Sequence, residues 1–301
     1  MFSNDSDGGA WSWSLVITAV VMVAALAGGW FVYDARHRSD PDPAAGRGSL
    51  ATAHGGGSGD SPVADGDTGA SAGAAGRELA GRTVVIDPGH NNGNAEHTAA
   101  ISRTVDIGTN RKECDTTGTE TNAGYPEATY TLDVAHRVRT LLEARGAKVV
   151  LTYDGDRPYG PCVDERARIG NDAHADAALS IHADGAPADR LGFHVIAPKS
   201  VHQGAADTRA IAAPSLRLAT TLRSHFTAAT GEPLANYLGG KGLTIRDDLG
   251  GLNLSTVPKV FIECGNMRNA HDAAALTNPA WRQHAAQGIA DGLTAFLEGK
   301  R

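Results

Sequence analysis

The chain has 301 residues, 41% hydrophobic and 20% charged, which provides for one enzyme-sized globular domain with further segments outside it. Its formal net charge of -7 excludes the concentrated Lys/Arg surface that phosphate neutralisation requires, so no nucleic-acid partner is expected. Three cysteines, Cys114, Cys162 and Cys264, are too few for a disulfide scaffold and lack the close spacing of a cysteine-based zinc site.

Residues 1–12 read as a short tail carrying Asp5 and Asp7. From Trp13 to Tyr33 the chain is uncharged with aromatic residues at both ends, long enough to cross a bilayer, for which about 20 apolar residues suffice. A cleaved signal peptide ending near Ala25-Leu26-Ala27 is the alternative. An uncleaved anchor is preferred, because the leading segment is acidic and the apolar run continues through Trp30 and Phe31. Arg36 and Arg38 argue by the positive-inside rule for a cytoplasmic C-terminal part, but a large trailing domain translocates despite a few flanking arginines. Residues 34–77, mostly Gly, Ala, Ser, Asp and Pro from residue 37 onward, cannot build a core and predict a flexible tether.

The folded domain is expected over residues 78–301. Strand patterns at 82–87 (RTVVID) and 148–153 (KVVLTY) flank a helix over 127–145, whose Leu132, Ala135, Val138 and Leu142 fall at helical spacing, giving a β-α-β unit. A short helix follows at 164–173, then strands at 177–182 (AALSIH) and 192–197 (GFHVIA), and a long helix at 208–230. A strand at 260–264 (VFIEC) and a closing helix at 281–297, with Ile289, Leu293 and Phe296 on one face, complete the series. This alternation predicts an α/β fold, a three-layer α/β/α sandwich around a twisted, mostly parallel sheet. If the chain is exported, Cys114 and Cys162 are the expected disulfide, since Cys264 sits in an apolar strand where buried thiols are common; three free thiols are the alternative.

His90, His182 and Glu263 each stand at the C-terminal end of a strand pattern, where open α/β sheets place their sites. Glu127 opens the first long helix directly after Pro126. Two imidazoles and one carboxylate are a known donor set for catalytic zinc, with a fourth position left for water. A second carboxylate must then move the proton, and Glu263, flanked by Val260, Phe261 and Ile262, is expected to be partly desolvated and raised in pKa. Each histidine taken alone is more often a hydrogen-bonded structural group; convergence at one sheet edge is what favours a site.

The stretches TVVIDPGH, PEATYTLDVAHRVRTLLEARGAKVVLT, ERARIGNDAHADAALSIHAD and VPKVFIECGNMRN resemble, in order, the motifs of the zinc-dependent N-acetylmuramoyl-L-alanine amidases, over about residues 82–297. The resemblance implies that His90, Glu127 and His182 hold Zn2+ and that Glu263 is the catalytic base. It implies a peptidoglycan or muropeptide substrate, cut between N-acetylmuramic acid and L-alanine of the stem peptide. The working place is then outside the cytoplasm, on the single N-terminal span or, after signal cleavage, free in the periplasm or wall. A zinc peptidase cutting within the stem, and an inactive peptidoglycan-binding or regulatory module, are the rival readings.

Glu120 is the rival to Glu127, in a Thr/Gly/Asn-rich loop where a solvated side chain is the plainer reading. The long segment 91–125 is a candidate lid or wall over the pocket. Asp87 is a candidate acceptor for His90, or else a cap; Arg166 and Asn171 are expected to brace the strand and loop. His136, His174, His225 and His284 fall on helical patterns, and no metal role is expected for them or for His54, His97, His194, His202 and His271. Nothing points to an oligomer, so a monomer is expected.

Overall fold

The computed structural model describes residues 77–239 and 241–299. The predicted tail, the span at 13–33 and the tether up to residue 76 lie outside them. Among the described residues no helix is long and apolar enough to cross a membrane.

Strand β1 (Thr83–Pro88) leads through a 3-10 turn at Asn94–His97 and α1 (Thr98–Ile101) into a hairpin of β2 (Thr104–Asp106) and β3 (Arg111–Glu113). Then come α2 (Glu127–Ala144), β4 (Lys148–Leu151), α3 (Val163–Asp172), β5 (Ala177–Asp184), β6 (His194–Pro198) and a small pair, β7 (His202–Gln203) with β8 (Ala206–Asp207). The chain continues through α4 (Ala212–Thr230), β9 (Leu243–Arg246), α5 (Gly250–Asn253), β10 (Lys259–Asn266), α6 (Ala270–Thr277) and α7 (Pro279–Leu297). Six strands form one sheet in the order β4-β1-β5-β10-β6-β9. All neighbouring pairs are parallel except β10 with β6, as the expected mostly parallel sandwich requires.

Val84, Val85 and Ile86 are buried in succession because helices cover both faces of the sheet. The two-residue period of a strand sorts them. Val84, Ile86, Leu179, Ile181, Val260 and Ile262 pack with Val138 and Leu142 of α2, Leu218, Leu222 and Phe226 of α4, and Ile289 and Leu293 of α7 in the main core. Each such side chain contributes about 1.5–3 kcal/mol by leaving water. Val85 and Ala178 face the other way, into a smaller cluster with Val257 on the side that α3 covers.

Helix starts follow capping chemistry. The Asn278 carboxamide accepts from the amides of Ala280 and Trp281, and Pro279 occupies the first turn, so α7 begins two residues before the apolar pattern does. The hairpin, β9, α5 and α6 were absent from the expected series. Cys114 and Cys162 form a disulfide across 48 residues and Cys264 is a buried free thiol, as the sequence led us to expect.

Candidate active site

On the α3 side of the sheet, alternation lines up Asp87 of β1, Ser180 and His182 of β5, and Lys259, Phe261 and Glu263 of β10. Register pairs Asp87 with Ser180 and Ser180 with Phe261. One step towards the strand ends, Glu263 lies opposite His182 on one side and His194 of β6 on the other.

The deeper row is closed by opposite charges. Asp87 accepts from Arg166 Nη1 at 2.9 Å, Lys259 Nζ at 2.9 Å, Thr152 Oγ1 at 2.6 Å and Ser180 Oγ. Burial alone would raise the Asp87 pKa, but Lys259, Arg166 and the two hydroxyls hold it well below the carboxylate range. Asp87 is therefore committed to this network and does not orient His90, which corrects the sequence expectation. Arg166 also donates to the carbonyls of Pro88 (2.6 Å) and His90 (2.9 Å) and to Asp115 (3.0 Å), so it does brace the strand end. Asn171 ties α3 to the approach to β10 through Leu254 O and Thr256 N.

That bracing holds His90 in a left-handed conformation, φ 62°, which non-glycine residues seldom adopt. Its Nδ1 lies 3.1 Å from Thr116 O and 3.3 Å from Asp115, leaving Nε2 3.2 Å from Glu127. Asp115 and the Thr116 carbonyl thus take the part expected of Asp87. Burial disfavours the His90 cation, but Glu127, followed by Asp115, outweighs it and raises its pKa well above the ordinary value. Asp115 is itself lowered to about 2, burial being overcome by Arg166 and then His90.

Glu127 enters as the first residue of α2, its amide bonded to Thr119 O at 2.9 Å. One carboxylate oxygen accepts from Thr119 N at 2.9 Å and the other from Ala183 N at 3.2 Å, while His182 Nδ1 sits 2.9 Å away. Against the burial penalty, His90 and then His182 depress its pKa. Donor atoms of His90, Glu127 and His182 all fall within 4.8 Å of one another. Two glycines make room: a Cβ on Gly89 would stand 2.3 Å from the His182 ring, and one on Gly118 would stand 2.8 Å from His90 and 2.9 Å from Glu127.

Glu263 shares a cavity of about 310 Å³ with these three, lined also by Asp184, Arg246, Leu249 and Phe261. Burial, then the Glu127 and Asp184 charges, raises its pKa well above the ordinary carboxylate value. A second cavity of about 500 Å³ adjoins through His90, Thr116 and Phe261 and is walled by Arg111, Lys112 and Val163. Segment 91–125 supplies that wall, through the hairpin and Asp115 to Thr119. Glu120 is exposed and is not among the clustered donors. Lys259, the buried cation under the site, was not singled out from the sequence; the signal was a lysine leading the apolar VFIEC strand.

A family model described as N-acetylmuramoyl-L-alanine amidase matches residues 84–295. An N-acetylmuramoyl-L-alanine amidase of Mycobacterium tuberculosis is 42% identical over 75% of this chain and 91% of its own length. The crystal structure of an N-acetylmuramyl-L-alanine amidase from Mycobacterium smegmatis superposes with a TM-score of 0.67 at 40% identity, over 74% of this chain and 99% of the other. Another, from Mycobacterium abscessus, gives 0.67 at 42% identity over 73% and 100%. The match over most of the chain, together with relatives at this level of identity, establishes that the chain belongs to the N-acetylmuramoyl-L-alanine amidase family.

Proposed function

We propose that this enzyme, a peptidoglycan hydrolase of the amidase class, cleaves the bond between N-acetylmuramic acid and L-alanine of the stem peptide using a zinc ion held by His90, Glu127 and His182, with Glu263 as general base. The observation that carries the reading is the convergence of two imidazoles and a carboxylate within 4.8 Å, with Glu263 in register beside His182. The donor set fits zinc: two ring nitrogens and one carboxylate are ligands it accepts, and the Thr116 carbonyl engages His90 Nδ1 in the way that fixes a metal-binding imidazole. The chemistry such an ion supplies is Lewis acidity, which acidifies water and polarises a carbonyl oxygen.

The chain's own groups divide the remaining work. Glu263, of raised proton affinity, takes the proton of the attacking water and returns it to the departing amine of L-alanine. Thr119 N and Ala183 N hold both oxygens of Glu127, so its orientation does not depend on a ligand. Phe261, stacked on the His182 ring at 5.2 Å between centroids, keeps that ring in place and excludes water from one side.

Residues 13–33 are proposed to anchor the enzyme outside the cytoplasm, with 34–77 as a tether and 78–301 as the catalytic domain. The test is digestion of purified peptidoglycan with metal analysis of the same sample. Zinc near one equivalent at the His90 centre and free peptides beginning at L-alanine are expected. Fragments cut within the stem would overturn the assignment.

A further inference from the structure

A second group of metal-type donors lies where the end of α4 meets the start of α6, sharing no residue with the site above. Glu232 follows Gly231, the left-handed residue that ends α4, and Asp272 and His271 lie in the first turn of α6. Asp272 is buried, its Oδ2 accepting from Gly192 N at 2.8 Å and Asn266 N at 2.9 Å. Its Oδ1 faces His271 Nδ1 at 3.2 Å. Glu232 is only 3% exposed, and its Oε1, 4.0 Å from the same imidazole nitrogen, has no hydrogen-bond partner.

Two buried carboxylates side by side are costly unless something positive stands between them. Among the described residues no Lys or Arg pairs with either one; His271 is their sole ion-pair partner. Burial, then the Asp272 charge, pushes Glu232 up to about 7, so the pair is held together only with a proton or a cation.

We propose that Glu232, His271 and Asp272 form a second, structural site for a divalent cation of zinc or manganese type, pinning the end of α4 to the start of α6. Its three donor atoms lie within 4.8 Å of one another, with His271 Nδ1 3.2 Å from Asp272 and 4.0 Å from Glu232, and tetrahedral zinc donors at about 2.0–2.2 Å stand about 3.3–3.6 Å apart, so closure needs only a small adjustment of the His271 and Glu232 side chains. That side chain is 67% exposed, which provides both the freedom to move and an entry path from solvent. One imidazole beside two carboxylates disfavours calcium and magnesium, which take oxygen donors alone. Because Asp272 also holds Gly192 and Asn266, a cation here would stiffen the approach to β6 and the end of β10, the strand carrying Glu263.

The test loads the full chain with zinc alone and counts bound metal after dialysis. The unaltered chain is expected to retain two equivalents, and His271→Ala and Glu232→Gln one each, with peptidoglycan digestion unchanged in the His271 variant. With His90→Ala and His182→Ala together, one equivalent should remain and zinc should still raise the thermal midpoint; adding His271→Ala should abolish both. An unaltered chain that retains one equivalent, lost with His90 and His182 but not with His271, would overturn the second site and leave the first intact. Two equivalents that survive both His271→Ala and Glu232→Gln would overturn it equally.

Discussion

Two rows of polar side chains stand on the same face of the sheet, one register step apart, and they treat charge in opposite ways. In the deeper row, Asp87 is balanced by Lys259 and by Arg166, which also reaches Asp115 in the adjoining loop, all within hydrogen-bonding distance. Nothing more is needed there. At the outer row, Asp184, His182 and Glu263 of the strands meet His90 from the loop after β1 and Glu127 from the start of α2, and both burial and mutual repulsion of the carboxylates raise the proton affinity of Glu263. The strands are the same. What separates a scaffold from a reactive site is whether the charges close on themselves or leave work for an outside ion and a proton.

The contrast can be broken most sharply at Glu263. Glu263→Gln keeps the shape but removes the proposed base, and should lower the release of stem peptides by about 10²–10⁴-fold with the zinc content unchanged. Normal turnover in that variant would remove Glu263 from the chemistry. Lys259→Met tests the deeper row. It leaves Asp87 with Arg166 as its one paired cation beside the Thr152 and Ser180 hydroxyls, and denaturant unfolding should show a loss approaching the about 3–5 kcal/mol typical of a broken buried pair, with zinc content retained. A neutral result would mean that Arg166 alone suffices.

The smallest effect is expected from Asp184→Asn. In the proposed role Glu263 accepts a proton only when ionised, so the rate is expected to fall as pH drops through its raised pKa. Removing the Asp184 charge favours the Glu263 anion and lowers that pKa, so activity should persist to more acidic pH. The acid limb of kcat/KM measures this, and a limb that stays in place would discount the repulsion.

The parts of this arrangement legible in the sequence were those written in local pattern. The runs around Val84, Leu179 and Val260 marked central strands, and Pro126 placed Glu127 at a helix start. Glu263 stood out as a charge at the end of an apolar run. β9 was not legible, because LTIR is a partly exposed edge strand without a long apolar stretch. The reversed direction of β6 depends on its pairing with β10, which composition does not encode. Asp115 could not be told from any loop aspartate until Arg166 and His90, 51 and 25 positions away along the chain, were brought beside it. Lysine is so rarely interior that Lys259 reads as surface until its partner is known.

The Cys114–Cys162 bridge joins the wall of the pocket to the residue that caps α3. Asp115 and Thr116, the partners of His90, come directly after Cys114, and Arg166 lies one turn beyond Cys162. In the chain-entropy account a closed loop of this length contributes about 4 kcal/mol, and only an oxidising compartment allows it to form. A copy held among reducing thiols would lack this strap beside His90, so the stiffness of the pocket wall is coupled to the redox state of its surroundings.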